Sequence, residues 1–297
     1  MIYFYCMNTN SLNYFKKQGI FTNLDEHKKT ISKLPTDIKI LTQVIQGVML
    51  HDGFTKEYGL KHKAGLYHYV GDILDQVVEN DSRPITFFRP PDKRVQVCCR
   101  DYAVLLTALL REKNISARAR CGFAKFGINE KRWFDHWICE YWHKKSNKWI
   151  KVDAQLDPHL QKILKIKYDP LVVPDNLFLT ASKAWLLWRR KKVNPKLFTT
   201  NDLCGSWLIR GNLLRDFAAL NKVEIEPYMM RINLELTWKP WRLMTTKDSK
   251  LTDNDWELLD NISDLTQDVD SNLEEIISLY QQNDELKPPA NLYERIN

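Results

Sequence analysis

An α+β fold is predicted for this chain: an apolar helix packed on an antiparallel sheet, followed by a helical C-terminal extension. Three observations carry it. Apolar residues recur at helical spacing over 36–50 and 99–111. Short alternating segments at 117–123, 136–142 and 149–153 read as strands, the last two joined by the polar turn 143–148 as a hairpin requires. Beyond residue 180 the pattern is again helical, to near the end of the chain.

In chain order, Ile38, Leu41, Val44, Ile45, Val48 and Met49 form one stripe behind Pro35-Thr36, which predicts a helix over 36–50. A shorter helix is expected over Val70–Asn80, carrying Ile73, Leu74, Val77 and Val78. Residues 81–97 contain Pro84, Pro90 and Pro91 and read as a loop that delivers the chain to Cys99. The helix from Cys99 to Arg111 places Tyr102, Leu105, Leu106, Leu109 and Leu110 together, with Asp101 and Arg111 at the ends that suit the helix dipole. Asn114-Ile115 ends it. Helices follow near 181–192 and 205–221. A final helical stretch over 252–283 opens on the capping-box-like Thr252 to Asp255, with Trp256, Leu259, Ile262, Leu265 and Val269 as its stripe. The division expected is one domain over 1–247 and an acidic helical extension over 248–297.

The 297 residues can bury a full core, and 44% hydrophobic with 27% charged residues is ordinary for a globular protein. No apolar run approaches the roughly 20 residues of a membrane span. Met1 to Asn10 lacks the basic and apolar regions of a secretory signal, and Met7 is an equally good start. The six cysteines, at 6, 98, 99, 121, 139 and 204, form no CxxC pair and no zinc spacing. Reduced thiols in a cytoplasm are the simpler reading, with a strained Cys98–Cys99 disulfide as the lesser one. The net charge of +7 hides an asymmetry: from Asp248 onward there are 13 acidic and three basic residues, leaving 41 basic and 24 acidic before it. Such a balance suits nucleic-acid binding, or a tail folded back on the body. The bases are scattered, however, and the run Arg189-Arg190-Lys191-Lys192 closes an apolar helix, where cations complement the dipole. Nucleic acid is therefore the weakest of the partner classes.

The chemistry-bearing residues are Cys99, His136 and Asp153. In a symmetric hairpin, paired positions sum to 291, so Glu140 faces Lys151. His136 and Asp153 are then diagonal neighbours on one face, roughly 7 Å apart at the backbone. The opposite face carries Trp137, Cys139, Tyr141, Ile150 and Val152, a coherent core face on which Cys139 serves packing. Cys99 lies in the first turn of its helix, where unpaired N–H groups and the positive dipole end favour a thiolate. A protonated His136 favours it further, and Asp153 orients the imidazole. The Cys99 N–H is a natural oxyanion donor, with Gln96 as the candidate for a second. Among Trp133, Trp137, Trp142 and Trp149, some belong to the core and one or two are candidates to wall a groove. His51 and His68 read equally well as surface loop and as helix. Taken singly, a cysteine at a helix start or an aspartate at a strand end is usually structural; their joint order and geometry favour chemistry.

These residues also carry a resemblance. Cys99-Arg100-Asp101-Tyr102-Ala103, Ala117 to Phe123, Asp135-His136-Trp137 and Trp149 to Asp153 together resemble the core of the transglutaminase-like superfamily, over about residues 95–160. Asp153-Ala154-Gln155-Leu156-Asp157 and Arg210 to Lys222 look like a bacterial branch of it. The resemblance implies a papain-related α+β fold with Cys99 as nucleophile, His136 as general base and acid, and Asp153 as orienting carboxylate. In the motif the nucleophile directly precedes Arg-Asp-(Phe/Tyr), which selects Cys99 over Cys98. The chain departs from the calcium-dependent cross-linking enzymes in having no β-rich extension and no Asp-x-Asp-x-Asp-Gly loop, and from some N-glycanases in having no paired CxxC. The expected activity is therefore acyl transfer from an amide or peptide bond through a Cys99 thioester, as a hydrolase rather than a cross-linker. It needs no cofactor and no metal, and its partner is a protein or peptide acyl donor. The alternative is a catalytically silent module that holds a peptide in an aromatic groove. Retention of all three residues favours the enzyme.

Overall fold

The computed structural model describes residues 9–63, 65, 67–225 and 238–293. The start of the chain, with Cys6 and Met7, lies outside the described residues. The helices are α1 (Thr9–Lys16), α2 (Lys28–Ile31), α3 (Ile38–Val48), α4 (Val70–Asn80), α5 (Cys99–Glu112) and α6 (Pro158–Ile163) in the first half. Then come α7 (Ala181–Arg189), α8 (Ser206–Leu220), α9 (Lys239–Thr245), α10 (Asp253–Gln267) and α11 (Leu273–Gln282). The strands are β1 (Met49–His51), β2 (Val95–Val97), β3 (Ala117–Ala124), β4 (Trp133–His143), β5 (Lys148–Val152), β6 (Phe178–Thr180), β7 (Phe198–Thr200) and β8 (Leu203–Cys204).

The fold is α+β, with a helix packed on a curled sheet and further helices around it. Six strands form one curled sheet in the order β6-β3-β4-β7-β8, with β5 also on β4. The hairpin register is the one the sequence predicts, with Glu140 opposite Lys151 and Tyr141 opposite Ile150. The sheet is mixed rather than wholly antiparallel, because β7 runs parallel to β4 at Trp133 and Phe134. On that edge of β4, β7 covers 133–134 and β5 covers 139–143, so residues 135–138 lie between two partners. β1 and β2 form a separate parallel pair with His51 opposite Val97. Both fall where the sequence reads as helix end or loop; three-residue strands are too short to show a period.

α5 is buried along nearly its whole length, from Arg100 to Arg111. Its leucines join the predicted core face of the hairpin, Trp137, Cys139, Ile150 and Val152, in one cluster that also takes in α3 and α4. Cys139 is a packing residue there: Thr107 Oγ1 donates to its sulfur at 3.3 Å, and burial pushes its thiol up to about 12.

The helical stretch expected over 252–283 is two helices. Asp268 breaks it by accepting from the Ser271 N–H and hydroxyl at 3.2 and 2.8 Å, the side-chain competition that ends helices at Asp, Ser and Asn. The Thr252–Asp255 capping box forms as predicted. Leu259, Ile262, Leu273 and Ile276 share one cluster with Phe15, Phe123, Trp185 and Phe217. The acids of this region meet bases of the body: Asp260 takes Arg189 at 2.7 Å, Asp255 takes Arg242 at 2.7 Å, and Asp270 takes Arg118 at 3.1 Å. The tail folds back on the body, and Arg189 of the basic run is among the residues it uses.

A second charged assembly is buried under α8. Asp216 binds Arg120 with both carboxylate oxygens, at 3.0 and 2.8 Å, and accepts from the Cys121 N–H at 2.9 Å. Arg120 also reaches Glu140 at 3.1 Å, and Arg118 reaches the same oxygen at 2.8 Å. Burial alone would raise the Glu140 carboxyl, but Arg120 and Arg118 outweigh it and hold the group at about 2.

Truncation after Thr246 removes Leu259, Ile262, Leu273, Ile276 and Leu286, all at most 2% exposed. At about 1.5–3 kcal/mol per buried apolar side chain, that loss rivals the whole of a typical net stability, roughly 5–15 kcal/mol. The truncated chain is expected to lose its cooperative thermal transition by circular dichroism; a Tm within a few degrees of the intact chain would contradict this packing. Glu140 provides a pH test. Its folded pKa lies below the unfolded value of about 4.3, so its stabilisation is complete above that pH and lost as pH falls toward 2. Glu140→Gln is expected to be less stable at pH 7 yet to lose less stability between pH 5 and 2.5, by urea unfolding at the two values.

Candidate active site

β2 brings the chain to Cys98, whose extended backbone (φ −95°, ψ 176°) makes it the N-cap of α5 and Cys99 the first helical residue. Asp101 closes the cap by accepting from the Cys98 N–H at 3.0 Å. Arg100, fully buried, ties this helix end to the rest of the molecule. Its guanidinium donates to the carbonyls of Tyr67, His68 and Glu224 at 3.1, 2.8 and 2.9 Å, and to Asp101 at 2.9 Å. The Cys99 N–H is one of the first-turn amides that no intrahelical carbonyl takes up. Cys99 itself is only partly buried.

His136 lies in the stretch of β4 between β7 and β5, and Asp153 follows directly on β5. His136 Nε2 and Asp153 Oδ2 are 2.7 Å apart, and both residues are at most 2% exposed. The other Asp153 oxygen accepts from the Gln155 N–H at 3.2 Å, and the Asp153 N–H donates to the Pro170 carbonyl at 2.8 Å. The carboxylate is thus held through both oxygens and its residue through the backbone. With Nε2 committed to Asp153, Nδ1 is the nitrogen left for Cys99, to which the imidazole is hydrogen-bonded. α8 steadies the same strand: Asn212 donates to the Gly122 carbonyl and to Asp135, each at 2.8 Å. The segment Arg210 to Lys222, which the sequence singles out by resemblance, therefore braces the histidine strand.

The electrostatics follow from these contacts. Hydrogen bonds from the Cys98 thiol, His136 and His51 hold Cys99 well below the ordinary thiol value, against the opposing effect of burial. For His136, burial disfavours the charge, but Asp153 and the Cys99 sulfur outweigh it and raise the ring to about 10. With the thiol pushed down and the ring pushed up, the site favours a thiolate beside an imidazolium.

Cys99 and His136 open onto a cleft of about 490 Å³. Its apolar walls are Phe54, Phe126, Ile128 and Phe134, and the turn between β7 and β8 supplies a polar edge. The tryptophans expected as groove walls are elsewhere: Trp137 is in the core, Trp149 packs on Phe15 and Trp142, and Trp133 stacks on Phe198. Gln96 also departs from expectation. Its amide is paired with the Lys61 carbonyl and the Lys63 N–H, at 3.0 and 2.6 Å, on a different depression of the surface. His68 is buried behind Arg100. His51 is the residue sequence reasoning passed over; the β1–β2 register carries it to the cleft, and nothing in the local sequence reveals that pairing. No disulfide joins Cys98 and Cys99. Among the described residues, none that lines the cleft comes from beyond Asn201, so the described part of the acidic tail does not border it.

A helix-terminal cysteine, a strand histidine and a carboxylate on the next strand, in that chain order, define the class of papain-like thiol proteins. Residues 71–154 match the family model described as the transglutaminase-like superfamily, so this stretch is a transglutaminase-like core, and it contains Cys99, His136 and Asp153. Neither a curated protein nor a solved structure gives a match. Among the described residues, no helix is long and apolar enough to cross a membrane.

Alkylation by iodoacetamide, mapped to each cysteine by mass spectrometry, tests the thiolate. Cys99 is expected to react rapidly at pH 6, its rate falling only as pH drops through a pKa well below the usual 8.5 or so. His136→Ala should move that inflection up toward the ordinary value, and Cys98→Ala should move it part of the way. Labelling of Cys99 that follows an ordinary thiol and ignores both substitutions would remove the ion pair.

Proposed function

We propose that this protein is a thiol-dependent acyl-transfer enzyme that cleaves an amide or peptide bond through a thioester on Cys99. The observation that carries this reading is a partly accessible Cys99 at the foot of an open cleft, hydrogen-bonded to a buried His136 that is itself paired with Asp153. A merely structural cysteine gains nothing from such a pair, since burying a charged imidazole and a carboxylate is costly unless the charge is used.

In the proposed reaction the Cys99 thiolate attacks the carbonyl carbon of the donor, and its oxygen takes up the negative charge next to the Cys99 N–H. The His136 imidazolium gives its proton to the leaving nitrogen as the C–N bond breaks, leaving a thioester and a neutral ring. Water then adds to the thioester as His136 takes its proton. Collapse expels the Cys99 thiolate, a carboxylic acid leaves, and the ion pair is restored. Asp153 keeps the ring in the tautomer and orientation that both transfers require. Release to water is favoured over release to an amine, because one edge of the cleft is the polar β7–β8 turn and a cross-linker must keep water from its thioester. The apolar walls suit a peptide or protein donor with an apolar side chain beside the scissile bond. The five described cysteines are unbridged, which suits a reducing compartment such as the cytoplasm.

The test is acyl-enzyme formation from a mixed peptide-amide library, read by intact mass and by mapping of the adduct. A thioester is expected on Cys99 and is discharged by water, with added amine as a minor acceptor. Cys99→Ala should abolish it with the fold intact by circular dichroism, and His136→Ala should slow it by roughly a hundredfold or more. A library that leaves no adduct, while Cys99 alkylates as a thiolate, would favour a silent module that holds a peptide in the cleft.

A further inference from the structure

Two imidazoles line the cleft with Cys99, and what lies behind each of them differs. His136 has a carboxylate on its far nitrogen, which favours the charged, proton-bearing ring. His51 has an N–H donor there instead: the Gly53 amide donates to His51 Nδ1 at 3.0 Å. A nitrogen that accepts a hydrogen bond carries no proton, so the neutral His51 ring holds its proton on Nε2. Asp52 Oδ1 lies 3.3 Å from the same Nδ1 and competes for a proton there, whereas the Gly53 N–H at 3.0 Å requires that nitrogen bare. With Gly53 donating to Nδ1, the nitrogen left to face Cys99 is an N–H donor.

The ring is held in that pose from both sides. The parallel register His51–Val97 sets it directly beside the strand that runs into Cys98 and Cys99. Phe54 packs edge-on to it at 5.2 Å between centroids. A Cβ at position 53 would stand 3.2 Å from both Nδ1 and Cε1, so glycine there leaves the ring its room. A donor close to the sulfur in the resting state is where a second oxyanion donor must be, since the oxyanion forms on the carbon bonded to that sulfur. Gln155 also borders the cleft, but Cys99 makes its hydrogen bonds to Cys98, His136 and His51.

We propose that His51 is a catalytic residue, the side-chain donor that completes the oxyanion hole with the Cys99 backbone N–H. This assignment rests on the acyl-transfer reading and gives it the second donor that Gln96 does not supply. The neutral imidazole donates to the oxyanion while His136 alone handles protons.

The experiment compares two reactions of the same sulfur. Alkylation by iodoacetamide displaces iodide and forms no oxyanion, whereas acylation by p-nitrophenyl acetate passes through one. Limiting rates are taken at high pH, where the Cys99 thiol is ionised in every variant, so that any shift in its pKa drops out. His51→Ala is expected to lower the acylation rate by about a hundredfold or more while alkylation stays within about threefold, which also reports an intact site. His51→Gln, which keeps an N–H donor, should recover part of the acylation. Equal loss of both rates would make His51 a structural support, and unchanged acylation would leave it a bystander; either overturns the proposal. Selective loss in Gln155→Ala with none in His51→Ala would transfer the role to Gln155. Wild-type protein that alkylates but does not acylate would remove the acyl-transfer reading and this donor with it.

Discussion

The buried guanidinium of Arg100 fixes the start of α5, and the rest of the site depends on that point. A helix N-terminus is useful to a thiolate only if it is held still and its amides face the right way. Arg100 binds three carbonyls from two other segments and the carboxylate of Asp101, while Asp101 closes the turn on Cys98. The pair carries opposite charges in a place that water does not reach, so each depends on the other. The helix that follows is sealed into the core along its length, which leaves Cys99 as the one point where α5 meets the cleft.

The sheet contributes a gap of equal importance. β4 is paired on one edge by two different strands, β7 at its beginning and β5 at its end. His136 lies between them. The interruption leaves room for Asp153 to come alongside the imidazole, and for the turn after β7 to border the cleft. α8 then braces β4 through Asn212 and the neighbouring β3 through Asp216. The cysteine, histidine and carboxylate are thereby held by strands and a helix rather than by loops.

Charge in this molecule is organised by pairing. The basic body and the acidic C-terminal region meet in specific bridges, among them Arg118 with Asp270 and Arg189 with Asp260. Trp149 adds to the first by donating to Asp270 at 2.6 Å beneath the Arg118 guanidinium. The same logic separates the two histidines of the cleft. Behind His136 stands the Asp153 carboxylate alone, whereas His51 Nδ1 meets both the Gly53 N–H and the Asp52 carboxylate.

What is local or periodic can be read directly along the chain. The stripes of α3, α4 and α5, the capping box of α10 and the hairpin register of β4 and β5 are visible because each repeats over a few residues or turns on a single turn. Cys99, His136 and Asp153 were legible for the same reason: a helix start and a symmetric hairpin fix their positions, and the motif around them is specific. Only the tertiary structure decided the remainder. β1 and β2 are three residues each and pair across 43 intervening residues, so nothing periodic announces that His51 reaches the cleft. Gln96, one residue from a β2 end, points to the other side of that pair. The phenylalanine walls come from segments at 54, 126 and 134, brought together by loops with no pattern of their own. Contacts of this kind have no signature along the chain, because they are set by how the elements pack once each has formed.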